Sequence, residues 1–133
     1  MALFDDMPMR RAQLAAFLDQ WASGAHVKLI PGDFPPEKSS EYNGGSVRMI
    51  IIAIGGDSLD RSGALPLMNG GHQMWSDEIP VVILSDRTVR RDVEAAFAAG
   101  ARGYIPSSTE PEVALQALTF ILNGGHFFPA TAL

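Results

Sequence analysis

The sequence has no cysteine among its 133 residues, which excludes disulfides, thiolate chemistry and cysteine-ligated metal sites. It has no apolar run long enough to cross a membrane, because the best candidate, residues 49–54, has only the length of a strand. Basic residues are missing from the N-terminus, where a secretory signal requires them and where Asp5 and Asp6 stand instead. We therefore expect a cytoplasmic protein that does not enter the membrane.

Several functional motifs are missing as well. The sequence shows no phosphate loop, no Gly-x-Gly-x-x-Gly fingerprint, no histidine paired with an acid and no metal-ligand spacing. We therefore predict that the chain is not an enzyme and that it has no cofactor. The net charge of −5 argues against broad nucleic-acid binding by the chain itself.

The second half of the chain predicts a strand and a helix, each twice, with short connections. Residues 79–84 are branched and apolar, as expected for a strand that is buried on both faces. Gly100 is placed to end the helix that follows, and residues 103–106 predict the next strand. Two strand–helix units in succession favour a parallel sheet with right-handed crossovers.

Helical periodicity marks the two helices of this half. Thr109 and Glu112 fit the N-cap and N3 positions of a capping box at the start of the last helix. The apolar stripes predict buried faces made of Val89, Val93, Ala96 and Phe97 in the first helix and of Val113, Ala114, Ala117, Leu118, Ile121 and Leu122 in the second.

The first half predicts three further strands and their helices. In chain order we expect a minimal strand at 2–4, a helix at 10–22, an edge strand at 26–30, a turn at 31–36, one or two helical turns at 37–42, a buried strand at 47–54, and a short or irregular helix within 59–75. The alternation of strands and helices predicts a single domain that spans residues 1–133 and has an α/β doubly wound fold of flavodoxin type. Its five-stranded parallel sheet has the order 2-1-3-4-5, with helices on both faces.

Chemistry in such a sheet lies at the carboxyl ends of the strands. Those ends carry Asp5 and Asp6 after strand one, residues 53–56 after strand three, Ser85 after strand four and Ser107 after strand five.

Three stretches resemble the receiver domains of two-component response regulators. Residues 4–9 (FDDMPM), with Arg11, resemble the start of such domains. Residues 99–106 (AGARGYIP) resemble the fifth strand of the LuxR-type (NarL/FixJ) branch, and residues 112–129 resemble its last helix and exit. The resemblance implies the CheY-like form of the flavodoxin fold and a role in signal transduction and transcription regulation.

The resemblance also implies roles for single residues. Asp5 and Asp6 match the acid pair that holds Mg²⁺ in a working receiver. Ser85 matches the hydroxyl that binds the phosphorylated state, and Tyr104 matches the aromatic residue that moves on switching. Ala53, however, stands where the phosphoacceptor aspartate belongs, and Ser107 stands where the lysine belongs. A methyl group cannot be a nucleophile, so we predict a degenerate pseudo-receiver without catalytic residues.

Two alternatives remain at this site. Asp57, four residues after Ala53, is a candidate substitute acceptor if its loop folds back. Asp5 and Asp6 retain two of the three carboxylates of the Mg²⁺ site, so they are candidates for weak Mg²⁺ binding. The alternative is that they are a solvated remnant of that site, capping the N-terminus of the first helix.

The expected partners follow from the same resemblance. We expect a homodimer through the face of residues 87–99 and 110–123, with Val89, Arg90, Val93, Phe97, Val113 and Gln116 at the contact. Other signalling proteins are further candidate partners, and DNA would be bound only by a helix-turn-helix domain following residue 133.

The alternative function is small-molecule sensing, because loss of the acceptor vacates the crevice at the strand ends.

Overall fold

The computed structural model describes residues 1–35, 47–68 and 78–129, and it contains a five-stranded, all-parallel sheet. The strands are β1 (Ala2–Asp5), β2 (Ile30–Gly32), β3 (Ile50–Gly55), β4 (Val81–Ser85) and β5 (Gly103–Pro106). Their order is β2-β1-β3-β4-β5, which confirms the predicted topology.

The described residues form five helices, which pack on the two faces of this sheet. They are α1 (Pro8–Gly24), α2 (Leu59–Ser62), α3 (Leu65–Met68), α4 (Arg90–Ala98) and α5 (Pro111–Leu122). Helices α1 and α5 share one core layer with alternate strand residues, and α2, α3 and α4 share the other. None of these helices is long and apolar enough to cross a membrane.

Strand β3 shows why the sheet is buried on both sides. Ile50, Ile52 and Ile54 point into the layer beneath α2, α3 and α4, whereas Ile51 points into the layer beneath α1 and α5. All six residues of β3 are buried. The unbroken apolar run in the sequence is thus explained by a central strand with helices on each face.

The edge strand β2 begins later than predicted. Residues 26–30 were expected to form it, but the end of α1 takes up their first part: Val27 N–H donates to Ala22 O, and His26 adopts a positive φ of 59°. The Met1 ammonium donates to Lys28 O at 2.6 Å, but ladder pairing with β1 starts at Ile30, whose N–H donates to Met1 O at 2.8 Å. Pro31 therefore lies inside the strand, which an edge position tolerates.

The predicted capping box at α5 is wrong. The N-cap is Glu110, without a side-chain cap bond, and Pro111 occupies the first helical position. Proline suits that position because its missing N–H would have no partner there. Glu112 then lies in the first turn, where its negative charge interacts favourably with the positive end of the helix dipole.

The buried stripes of α4 and α5 are narrower than predicted. Val93 and Ala96 are buried, but Val89 is the N-cap of α4 and is 43% exposed, and Phe97 is 64% exposed. In α5 the buried residues are Ala117, Leu118 and Ile121, and Val113 is exposed. Gly100 follows the C-cap of α4 with φ +93°, as the sequence predicted.

The irregular helix after β3 is confirmed for its first part. Gly63, with φ +82°, separates α2 from α3, so neither exceeds four residues. The remainder of the predicted segment, like the helical turns at 37–42, lies outside the described residues.

A feature that the sequence did not predict covers the β5 edge of the sheet. Phe127 N–H donates to Arg102 O at 3.0 Å, and Phe127 O accepts from Tyr104 N–H at 2.9 Å. Phe127 thereby forms a parallel bridge with Gly103, and Phe128 packs edge-on against Phe97 at 5.4 Å between ring centroids.

Candidate functional site

The carboxyl ends of the strands bring the predicted site residues together. The register pairs Asp5 of β1 with Ala53 of β3, and Ala53 with Leu84 of β4. Ser85 at the end of β4 pairs with Gly55 on one side and Pro106 on the other. Asp5, Ala53, Ser85 and Ser107 therefore lie along one edge of the sheet, as in the sequence prediction.

An ion pair between Asp5 and Arg10 is the centre of this edge. Arg10 Nε donates to Asp5 Oδ2 at 2.7 Å, and Arg10 Nη2 donates to Asp5 Oδ1 at 2.6 Å. The backbone N–H of Met7 donates to the same Oδ1 at 2.9 Å. Asp5 is fully buried, so this bidentate geometry supplies the compensation that a buried carboxylate needs. The hydrogen bond to Asp5 raises the pKa of Arg10.

The side chain of Arg10, a residue of α1, reaches from Asp5 at the end of β1 to Gly55 at the end of β3. A Cβ atom added to Gly55 would lie 1.9 Å from Arg10 Nη1, so the guanidinium rests directly on the glycine backbone. Gly55 also has φ +60°, a conformation that favours glycine. The residue at position 55 must be small for Arg10 to reach this place.

The sequence reasoning missed Arg10. The available signal was its spacing, because a basic residue one turn into a helix after an acid pair can fold back onto those acids. Asp6, four residues before it, lies 3.5 Å from Arg10 Nη2 and is otherwise exposed. The adjacent Arg11 donates to the backbone oxygen of Asp5 at 3.0 Å.

The acid pair is therefore split into one buried and one exposed carboxylate. Asp5 is engaged by Arg10, whereas 58% of the Asp6 side chain is accessible. Within ranges 1–35, 47–68 and 78–129, no group of three or more histidine, cysteine, aspartate or glutamate residues could hold a metal ion.

Three hydroxyl groups hold the loop between β4 and α4. Ser85 Oγ accepts from Arg87 N–H at 3.0 Å and lies 3.4 Å from Gly55 O. Ser107 Oγ lies 3.2 Å from Ser85 O and also contacts Asp86 Oδ1. Tyr104 Oη donates to Arg87 O at 2.8 Å. The residues that resemble switch positions thus bond to the backbone of one loop.

The Tyr104 ring is wholly inside the protein. It belongs to the core layer beneath α2, α3 and α4, where it is fully buried. Burial raises the pKa of the Tyr104 hydroxyl, and a nearby Ser85 hydroxyl only partly opposes this rise. Tyr104 stays protonated and can donate its bond to Arg87 throughout the neutral range.

Asp57 is exposed in the turn that follows β3. Its backbone N–H donates to Ile54 O at 3.3 Å, which closes the turn. Asp57 is not among the residues that line the cavity at the strand ends. Its role as a substitute acceptor stays a prediction.

A cavity of about 270 Å³ opens beside the Arg10–Asp5 pair, between α1 and α5. Ala53 and Ser107 both contribute to its wall. The other apolar lining residues include Leu14, Phe17, Leu84, Ile105 and Ala114. Its polar lining residues are Arg10, Ser85, Asp86, Ser107 and Thr109. The two positions that depart from the receiver pattern therefore border the same empty space.

Five of the six residues predicted for the dimer face are at the surface. The prediction was wrong for Val93, which is only 1% exposed because it lies on the side of α4 that packs on the sheet. The others are accessible, namely Val89, Arg90, Phe97, Val113 and Gln116. Phe120, 60% exposed, adds an aromatic ring that the prediction did not include.

Comparison with known proteins gives a consistent answer at the level of fold. No family model matches the chain, and no curated protein matches it. Among solved structures, a LuxR family DNA-binding response regulator from Silicibacter pomeroyi is 24% identical with a TM-score of 0.63. That match covers 98% of this chain and 97% of the other.

Two further structures extend this likeness. A LuxR family two-component response regulator from Aurantimonas sp. SI85-9A1 has a TM-score of 0.71 at 18% identity, covering 98% of this chain and 89% of that chain. A CheY-like response regulator from Mesorhizobium loti has a TM-score of 0.59 at 19% identity, covering 90% and 94%. Identities this low establish the fold and leave function to the site. The chain has the receiver-domain fold of two-component response regulators.

Proposed function

We propose that the chain is an atypical receiver domain that works without phosphorylation, as a dimerisation and protein-interaction module of a transcription regulator. The observation that carries this proposal is the Arg10–Asp5 ion pair. In the receiver pattern, the acid pair holds Mg²⁺, which neutralises the phosphate oxygens. Here the guanidinium of Arg10 neutralises Asp5 from within the chain.

The residues around this pair support the same conclusion. Ala53 lies beside Asp5 in the register and offers only a methyl group, so it cannot accept a phosphoryl group. Ser107 is bonded to the loop after β4 and carries no charge to pair with a phosphoryl oxygen. In this proposal Ala53 replaces the nucleophile, Arg10 replaces the metal ion and Ser107 replaces the fixed cation. Arg10 and Ser107 are each hydrogen-bonded within the chain.

The fixed loop gives the module a single surface. Ser85, Ser107 and Tyr104 bond the segment between β4 and α4 without any phosphate. In the proposed mechanism these residues keep that segment in one arrangement permanently. The domain then presents a constant surface to its partners, in a cytoplasmic regulator whose DNA-binding part is a separate domain.

The partner surface that we favour consists of α4, the β5 edge and α5. Its centre is apolar, with Phe97 against Phe128 and Phe120 over the backbone of Gly125. Arg90 and Arg91 begin α4, whereas Glu110 and Glu112 lie at the start of α5. A two-fold axis along the strand direction would set α4 of one copy opposite α5 of the other, so that opposite charges meet.

The test is phosphorylation by acetyl phosphate in the presence of Mg²⁺, measured by intact mass. We expect no adduct on the natural sequence. The variant Arg10→Ala/Ala53→Asp/Ser107→Lys restores acceptor, metal space and lysine, and we expect it to gain one phosphoryl group. An adduct on the natural sequence would contradict the proposal. Its loss in Asp57→Asn would identify Asp57 as the substitute acceptor.

A second candidate function is small-molecule sensing. The specific observation in its favour is the cavity at the strand ends, which Ala53 and Ser107 border. A thermal-shift screen tests it, because any ligand that binds only the folded state raises the melting temperature.

A further inference from the structure

The cavity between α1 and α5 has the chemical features of a ligand site. Its walls are apolar, from Leu14 and Phe17 on one side to Ile105 and Ala114 on the other. Its volume of about 270 Å³ exceeds the ~150 Å³ that is enough for benzene and approaches the ~300 Å³ at which drug-sized pockets begin. A single ring or a short chain with one polar group fits this range.

The polar end of the cavity contains two donor groups without a side-chain hydrogen bond among the described residues. Arg10 directs Nε and Nη2 at the acids, but Nη1 has no hydrogen-bond acceptor within the described part of the chain. Thr109 also lines the cavity, and its hydroxyl makes no side-chain hydrogen bond among those same residues. Ser85 and Ser107, in contrast, are bonded to the neighbouring loop. A ligand would therefore meet Nη1 and the Thr109 hydroxyl.

Charge selects against an anionic ligand. Asp5 already neutralises Arg10, and Asp6 and the exposed Asp86 add two more carboxylates at the same end of the sheet. Asp86 is near enough to favour the charged form of Arg10 and to contribute to its raised pKa. A ligand carboxylate would approach these acids, whereas an uncharged carbonyl oxygen can accept from Nη1 without that repulsion.

We propose that this cavity binds an uncharged, largely apolar small molecule that carries one hydrogen-bond acceptor, directed at Arg10 Nη1. The inference deepens the sensing function and rests on it. The substitutions that remove phosphate chemistry also create the room, because alanine and serine stand where the receiver pattern has the longer aspartate and lysine. Loss of one activity and gain of a binding site then have the same cause.

Four matched probes test the ligand class on the full chain: acetophenone, ethylbenzene, benzoate and benzylammonium. Binding is followed by backbone amide chemical shifts at Leu14, Leu84, Ile105 and Ala114. We expect saturable shifts with acetophenone. Ethylbenzene lacks the acceptor and should bind more weakly by on the order of tenfold. Benzoate should bind more weakly because the acids repel it, and benzylammonium should bind more weakly because it offers no acceptor to Arg10 Nη1. Equal binding of all four, or none, overturns the inference.

Two variants fill the cavity from opposite walls. Ala114→Leu in α5 and Leu14→Phe in α1 should each abolish the acetophenone shifts while the melting transition persists. The control is Ala12→Leu, which enlarges an exposed side chain of α1 and should leave binding unchanged. Retained binding in both filling variants overturns the site. Using two variants keeps the test decisive if one of them does not fold.

Failure of this inference can be told apart from failure of the proposed functions. If acetophenone does not bind but nucleotides or anions shift the amides of Asp6 and Gly56, the ligand class is wrong and sensing remains. If acetophenone binds to a chain that sedimentation shows to be monomeric, the ligand site stands and the dimer proposal falls.

Discussion

Arg10 links two neighbouring strands at the candidate site. It bridges the end of β1, through Asp5, and the end of β3, through Gly55. It satisfies a buried carboxylate, and under the proposed function it also occupies the corner where the receiver pattern holds a metal ion. In the sequence, the spacing of Arg10 from the acid pair permits both roles but does not predict them, because it does not fix the direction of the side chain.

Removing Arg10 should destabilise the fold. Breaking a buried ion pair costs about 3–5 kcal/mol, but 31% of the Arg10 side chain is exposed, so we expect a loss of about 2 kcal/mol in Arg10→Ala. Urea denaturation measures it. The control is Arg90→Ala, which breaks the exposed Arg90–Glu94 pair and should change stability by less than about 0.5 kcal/mol. Equal losses in both variants would contradict the structural role of Arg10.

Tyr104 should make stability depend on alkaline pH. Its pKa is raised in the folded state above the ordinary value of 10.0, so its contribution is complete below pH 10.0 and is lost as the pH rises through the folded value. We expect the unfolding free energy of Tyr104→Phe to fall less steeply above pH 10.0. Urea denaturation across that range measures it, and parallel pH profiles of the two proteins would refute the prediction.

At the scale of elements, the strands and the helix ends were predictable to different degrees. Strand β5 has the predicted bounds because Gly103 and Pro106 delimit it in the sequence. Strand β2 was placed too early because the closing turn of α1 takes up residues 25–27. The capping box failed because Pro111 determines the first turn of α5 more strongly than Thr109 does. Competition between neighbouring local signals explains these two errors.

The two glycines at the end of β3 should differ, because Gly55 cannot accommodate a side chain whereas Gly56 can. Gly55→Ala places a Cβ on the Arg10 guanidinium and strains a positive φ, so we expect a loss of about 1–3 kcal/mol. Gly56→Ala meets no atom within 4 Å and should stay within about 0.5 kcal/mol of the natural sequence. Thermal denaturation of the pair measures the contrast. A tolerant Gly55 would mean that Arg10 lies elsewhere.

At the scale of the whole molecule, the sheet order follows from the alternation of strands and helices, and the structure confirms it. The position of Phe127 beside β5 could not be predicted, because a single bridged residue leaves no periodic pattern. The apolar cavity was equally hidden, since it depends on how far apart α1 and α5 stand. A crevice at the strand ends was nevertheless expected from the loss of the acceptor at position 53.

Dimerisation should depend on the surface of α4 and α5. Val113→Lys replaces an exposed apolar side chain at the start of α5 with a cation near the partner's arginines, so we expect the dimer dissociation constant to rise at least about tenfold. Met9→Lys changes an equally early position of α1 that is 80% exposed and should have no effect. Sedimentation equilibrium measures both. Equal effects, or a monomeric natural sequence, would contradict the proposed interface.

We propose that the guanidinium of Arg10 has taken the place of the metal ion. A Mg²⁺ titration followed by the amide shifts of Asp5, Asp6 and Gly55 tests it most directly, with the ionic strength held constant. The ion pair of Arg10 predicts no saturable shift at these three amides up to millimolar Mg²⁺. A saturable shift at Asp5 together with Asp6 would show that the acids still hold a metal ion, and it would contradict the proposed role of Arg10.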